Sequence, residues 1–75
     1  MQIGDIVQIE RKELKMSQEE LAYRLQRSQD WMSLVERNKQ EPLQSDLENL
    51  ARELKSAVLQ DIADGRAFKE LKKRL

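Results

Sequence analysis

The residues best suited to chemistry in this chain are carboxylates, amides and hydroxyls, because its 75 residues include no cysteine and no histidine. That composition excludes a disulfide framework, a Cys/His metal site and catalysis by Cys or His. The 14 acidic residues could ligate Mg²⁺ or Ca²⁺, but no loop has the Asp-x-Asp-x-Asp-Gly spacing of a calcium site. We therefore expect no metal, no cofactor, no small-molecule ligand and no enzymatic activity.

The elements that must position these side chains are helices. The chain has only two glycines and one proline, with 39% hydrophobic and 37% charged residues, which is typical of a small all-α domain. No apolar run approaches the roughly 18 residues of a membrane span, so we expect a cytoplasmic protein without a membrane partner. A domain this small buries a modest core, and dimerisation often stabilises such domains.

Capping residues predict where the second and third helices begin. Ser17 can accept hydrogen bonds from free amides, and Glu20 can reach back to it in a capping box. These residues predict helix two over about 18–25. Ser28 can cap a third helix over about 28–37.

The flanking helices follow from hydrophobic spacing. A first helix is predicted over residues 3–14, and a fourth over about 44–54 has the clearest apolar face in the chain. A loop containing Pro42 separates helices three and four. Gly65 is expected to end the fifth helix, and residues 66–75 form a short basic amphipathic helix of their own.

The second and third helices contain a distinctive series: Ser17-Gln18-Glu19-Glu20-Leu21-Ala22, then Leu25, Ser28, Met32, Val35-Glu36-Arg37-Asn38-Lys39 and Pro42. This series resembles the Cro/Xre-type, lambda-repressor-like family of helix-turn-helix regulators, over about residues 3–62. The resemblance implies a compact five-helix lambda-repressor-like DNA-binding domain over 1–64, with a short extra C-terminal basic helix over 65–75.

The resemblance also implies which residues contact DNA. Gln18 matches a position that holds a phosphate at the start of a helix, where free amides and the helix dipole favour an anion. Ser28, Gln29, Asp30 and Ser33 match the exposed positions of the recognition helix. Gln29 can pair with adenine through two hydrogen bonds, and Asp30 could accept from cytosine, repel phosphate or only stabilise the helix start.

The end of the recognition helix has two further roles in the family. Arg37, Asn38 and Lys39 match residues that reach the DNA backbone, and Asn38 replaces the usual glycine in a left-handed turn. Arg11 and Glu36 match a salt bridge that ties helix one to the end of helix three.

Three residues depart from the family pattern. Gln26 replaces a glycine at a turn position that normally needs positive φ, so either Gln26 carries about 1 kcal/mol of strain or the turn differs. Trp31 and Leu34 are large apolar residues three apart on the recognition helix. They could contact thymine methyl groups, form a protein-binding patch, or pack onto helix one or helix four.

The net charge is zero, but its distribution along the chain is uneven. Residues 10–39 carry seven positive and six negative charges, residues 40–65 two positive and six negative, and residues 66–75 five positive and one negative. A basic surface could still form if three cations cluster on one side: Arg27, Arg37 and Lys39.

Two functions remain open. The first is a sequence-specific transcriptional regulator, most simply a repressor, that binds double-stranded DNA as a homodimer. The second is a protein-interaction module on the same fold: an anti-repressor, co-repressor or antitoxin-like partner. The face of the tail helix with Phe68, Leu71 and Leu75 could pack on the domain or on a second subunit.

Overall fold

Five α-helices follow one another in the computed structural model, which describes residues 1–73. They are α1 (Ile3–Glu13), α2 (Gln18–Arg24), α3 (Gln29–Glu36), α4 (Gln44–Glu53) and α5 (Ala57–Lys73). Residues 1–73 contain no strand, so the all-α, five-helix expectation is confirmed. No helix within that range is long and apolar enough to cross a membrane.

Serine hydroxyls begin three of the helices. Ser17, Ser28 and Ser56 each accept a hydrogen bond from the amide three residues later, at 3.0–3.1 Å. For Ser17 and Ser28 this is the capping geometry that the sequence predicts. The Glu20 carboxylate does not return to Ser17. It accepts instead from Arg24 Nη2 at 2.9 Å, one turn further along α2.

Left-handed residues end the first four helices. Lys15, Gln26, Asn38 and Lys55 have φ between 52° and 61°, and none is glycine. At each of these ends the left-handed residue donates its amide to the carbonyl three residues back, and the next amide reaches the carbonyl five residues back. This pair of hydrogen bonds satisfies carbonyls that a helix end leaves free. The positive φ expected at Gln26 and Asn38 is present.

The core lies where the five helices meet. Its largest fully buried side chains come from all five helices: Val7, Leu21, Met32, Val35, Leu47, Leu50 and Leu59. On α5 the buried residues are Leu59 and Ala63, whereas Val58 is half exposed. The inner side of α3 therefore packs against the core, and its outer side is left uncovered.

The fifth helix does not end at Gly65, and the separate tail helix expected from the sequence is the second half of α5. Gly65 lies inside α5 with no positive φ. Glycine in a helix interior costs about 1 kcal/mol relative to alanine, which is too little to stop a helix that continues into Arg66–Lys73. The second half of α5 is nearly all exposed.

Candidate nucleic-acid interface

The outer side of α3 presents the polar residues predicted to read DNA. Gln29 and Asp30 are exposed in the first turn of α3, and Ser33 is half-buried one turn later. Ser28 precedes them, but its hydroxyl accepts the amide of Trp31 at 3.1 Å. Within residues 1–73 the Gln29 side chain has no hydrogen-bond partner, so both its donor and its acceptor are available to a ligand.

The last turn of α1 is joined to the end of α3 by a buried ion pair. Arg11 and Glu36 form two parallel hydrogen bonds, Nε to Oε2 at 2.6 Å and Nη2 to Oε1 at 2.9 Å. Arg11 Nη1 also donates to the Met16 carbonyl at 2.7 Å. Both charged side chains are over 90% buried. Such a pair tolerates burial because each guanidinium nitrogen and both carboxylate oxygens have a hydrogen-bond partner.

Gln18 belongs to the same group of contacts. Its Nε2 donates to Glu36 Oε1 at 3.1 Å, so the side chain turns inward to α3. The Gln18 side chain is thus used within the chain, and the first amides of α2 are left without intrahelical partners. The ion pair holds those amides in a fixed position relative to α3.

The end of α3 is fastened to the start of α1. Asn38 Oδ1 accepts the Gly4 amide at 2.9 Å, and Asn38 Nδ2 donates to Asp5 Oδ1 at 3.3 Å. A Cβ added to Gly4 would lie 2.2 Å from the Val35 carbonyl oxygen and 2.9 Å from that of Glu36. Only glycine allows α1 to approach the last turn of α3 this closely. The Asn38 side chain is thus used within the chain.

Arg27 is held inside the domain rather than presented as a free cation. Its Nε and Nη2 donate to the two carboxylate oxygens of Asp46, at 3.1 and 2.7 Å. Its guanidinium also lies over the Trp31 ring, 4.9 Å from the ring centre. The Asp46 side chain is 6% exposed and also accepts the Leu43 amide at 3.1 Å. The positive charge of Arg27 is therefore balanced by a carboxylate at the start of α4.

Trp31 and Leu34 do not form an exposed apolar pair. Trp31 is partly buried and packs against the core, with Arg27 above its ring. Leu34 is also partly buried. Of the three roles predicted for these residues, packing within the domain fits the structure best. The exposed apolar side chains of the tail are Phe68 and Leu71, and Leu75 lies outside the described residues.

The charges left at this surface nearly cancel. Arg37 and Lys39 are exposed at the end of α3, and Asp30 and Glu41 are exposed nearby in sequence. Arg66 lies close to Glu41, with Nη2 to Oε1 at 3.9 Å. The expected cluster of three free cations is reduced to two by the pairing of Arg27. The field that would attract a polyanion is therefore weak.

Two residues with clear structural roles were not found from the sequence. Asp46 accepts two hydrogen bonds from Arg27. The position of Asp46 in the first turn of α4 is the only sequence feature that indicated a special role. Gly4 lies in a helix, where glycine is unfavourable. A glycine at such a position was the sequence signal for a close contact there. Both roles depend on a neighbour more than 15 residues away.

Comparisons with known protein families, with curated proteins and with solved structures find no match to this chain. Within residues 1–73 no group of three acidic side chains is placed to hold a metal ion. The geometry around α3 is therefore the basis for assigning a function.

Proposed function

We propose that this chain is a small sequence-specific DNA-binding regulator of the Cro/Xre, lambda-repressor-like type, most simply a repressor. In this proposal α2 and α3 form a helix-turn-helix, α3 lies in the major groove, and two copies bind one operator. The observation that carries the proposal is the outer side of α3. It presents Gln29, whose side-chain amide is exposed and unpaired. Three polar contacts fix the position of the helix that carries it.

Each of the three contacts joins α3, or a residue next to it, to another part of the chain. Arg11 binds Glu36 at the end of α3, Asn38 binds Gly4, and Arg27 connects the α2–α3 turn to Asp46. Base reading requires donors and acceptors that are held in place before binding, because ordering them on the DNA would reduce affinity. This rigidity supports a reading role for α3.

In this proposal the amides at the start of α2 hold one phosphate, and Arg37 and Lys39 contact the DNA backbone of the half-site. Gln29 forms two hydrogen bonds to adenine at N6 and N7. The few free cations predict a modest salt dependence. Neutralising Z phosphates gives a slope of about −0.9Z in log K against log salt, so two cations per subunit predict about −1.8 per half-site.

The test is a titration of the protein into a labelled mixed-sequence duplex at about 50 mM salt and then at increasing salt. Binding that weakens with salt is the expected result. Gln29→Ala should cost roughly 1–3 kcal/mol at one operator position. Arg52→Ala, at the far end of α4, is the control and should leave affinity unchanged. A folded protein that binds no duplex at low salt would reject the proposal.

A protein-interaction module is the second candidate. The near-cancellation of charge around α3 favours it, because DNA affinity usually depends on phosphate neutralisation. The exposed Phe68 and Leu71 side chains also favour a protein partner. In this case the duplex titration would show no binding while circular dichroism shows a folded helical domain.

A further inference from the structure

The second half of α5, residues 65–73, extends beyond the part of the helix that packs on the core. Leu59 and Ala63 turn toward the core, whereas every residue in the second half except Arg66 is exposed. Arg66 fastens the start of this half to the domain, because its Nη1 donates to the Pro42 carbonyl at 3.2 Å. The described chain leaves the rest of this half open to a partner.

Phe68 and Leu71 lie on the side of α5 that turns away from the core. Successive residues of a helix are rotated by about 100°, so these two lie about 180° and 120° around the helix from Leu59. Phe68 is 64% exposed and Leu71 is 59% exposed. In the sequence, Leu75 continues the same spacing of three and seven residues, which is typical of an apolar helix face. The second half of α5 therefore presents apolar side chains to solvent.

Lysines occupy much of the remaining surface of this half. Lys69, Lys72 and Lys73 are all exposed, and residues 66–75 carry five positive charges and one negative. The negative charge is Glu70, which lies near Lys73, with Nζ to Oε1 at 4.0 Å. An exposed pair of this kind is weak, so the charge of Lys73 stays available. Apolar side chains on one side and lysines on the others make a basic amphipathic helix.

This combination indicates a partner surface that is both apolar and negatively charged. Double-stranded DNA would attract the lysines, but phosphate contacts would leave Phe68 and Leu71 in water. The surface of an anionic bilayer satisfies both, because acyl chains accept apolar side chains and lipid headgroups attract lysines. The expectation of no membrane partner was drawn from the lack of a spanning segment. A surface contact needs none, so it is compatible with the finding that no helix within residues 1–73 could cross a membrane.

We propose that the second half of α5 binds the surface of an anionic membrane. Phe68 and Leu71 enter the boundary between headgroups and acyl chains. Lys69 and Lys72 reach the headgroups, because a lysine stem can lie along apolar surface while its ammonium stays in water. Asp64 is exposed one turn before Phe68, and anionic headgroups repel its charge. The contact therefore begins after Asp64, and the C-terminal end of α5 lies deepest.

The proposed contact is weak and reversible, because it rests on few apolar side chains. Binding to a membrane surface increases with the apolar area buried and with the attraction to anionic lipid. The attraction is screened by salt. The contact uses no residue that is proposed to bind DNA, so the two activities can be tested separately.

Co-sedimentation of the full chain with lipid vesicles tests the contact without DNA. The protein should sediment with vesicles that contain phosphatidylserine and stay in solution with vesicles of phosphatidylcholine alone. Lys72→Gln should lower the partition coefficient roughly fivefold, which is the contribution of one lysine near an anionic surface. Lys55→Gln makes the same change of charge immediately before α5, about 25 Å from the other end of that helix. This control should leave binding unchanged.

Phe68→Ser tests the apolar part of the contact at constant charge. It should lower the partition coefficient roughly tenfold, because the ring no longer leaves water. Tyr23→Ser is the control, since it removes a ring that is 83% exposed on α2. Circular dichroism identifies any variant that fails to fold, and Leu71→Ser then tests the same face by another substitution.

Equal binding to both kinds of vesicle, or binding to neither, would overturn the membrane contact. Normal binding by Phe68→Ser would also overturn it, because the attraction would then be electrostatic alone. If Phe68→Ser abolishes self-association of a chain that binds no vesicles, the apolar face belongs to a second copy instead. A chain that binds vesicles but no DNA would reject the proposed function alone, and one that binds DNA but no vesicles would reject the membrane contact alone.

Discussion

The two ends of α3 and the second half of α5 are stabilised in opposite ways. Buried polar contacts fix α3, including an Arg11–Glu36 pair with atoms as close as 2.6 Å. The second half of α5 has one long-range hydrogen bond among its described residues, from Arg66 to the Pro42 carbonyl at 3.2 Å. A surface that recognises a partner should be held in place before binding, because ordering it on binding reduces affinity. The difference supports α3, and not the second half of α5, as the proposed recognition surface.

The largest effect is expected from breaking the ion pair behind α3. Glu36→Ala leaves Arg11 charged, buried and without its carboxylate, which should cost about 3–5 kcal/mol. A domain of this size has only about 5–10 kcal/mol of unfolding free energy, so much of its stability would be lost. Urea denaturation measures this cost.

The double substitution Arg11→Met with Glu36→Met is the control for that prediction. Replacing both members of a buried pair by apolar groups is often nearly neutral. A double variant as unstable as Glu36→Ala would show that packing volume, and not the unpaired charge, causes the loss.

The second largest effect is expected at the first glycine. Gly4→Ala places a Cβ 2.2 Å from the Val35 carbonyl oxygen, so α1 must move away from α3. Overpacking of this kind costs about 1–3 kcal/mol. Thermal unfolding followed by circular dichroism should show a lower midpoint. An unchanged midpoint would mean that α1 is not held closely against α3.

The same substitution at the second glycine, Gly65, should raise the free energy of unfolding instead of lowering it. Gly65→Ala adds a Cβ that meets no atom within 4 Å, so the helix should gain about 0.5–1 kcal/mol in a dilute, monomeric sample. Thermal unfolding followed by circular dichroism should show a higher midpoint. A lower midpoint would contradict the open space around Gly65.

The smallest effect on unfolding is expected from Phe68→Ser. Phe68 is 64% exposed, and exposed positions usually change stability by less than about 0.5 kcal/mol. Urea unfolding should therefore be almost unchanged. A large loss of monomer stability would instead place Phe68 against its own domain.

Local signals in the sequence predicted most of the helices. Ser17 and Ser28 cap α2 and α3 as expected, because capping depends on residues only three positions apart. Gln26 and Asn38 have the predicted left-handed backbone. Gly65 was misleading, because glycine ends a helix only where the chain also turns into the left-handed region.

The partners of the candidate site were harder to predict. Arg27 was expected to be a free cation, but Asp46 lies 19 residues away in sequence and pairs with it in space. The helical spacing of Trp31 did not show which of its possible neighbours would cover it. Such contacts depend on how helices pack together, and a single sequence does not encode that packing as a local pattern.

Selection of bound duplexes from a random DNA pool most directly tests the proposal that α3 reads a DNA sequence. We expect enrichment of a palindrome whose half-sites lie about one helical turn, roughly 34 Å, apart. Gln29→Ala should relax the preference at one symmetric pair of positions in that palindrome. A folded protein that enriches no sequence after repeated rounds at low salt would contradict the claim.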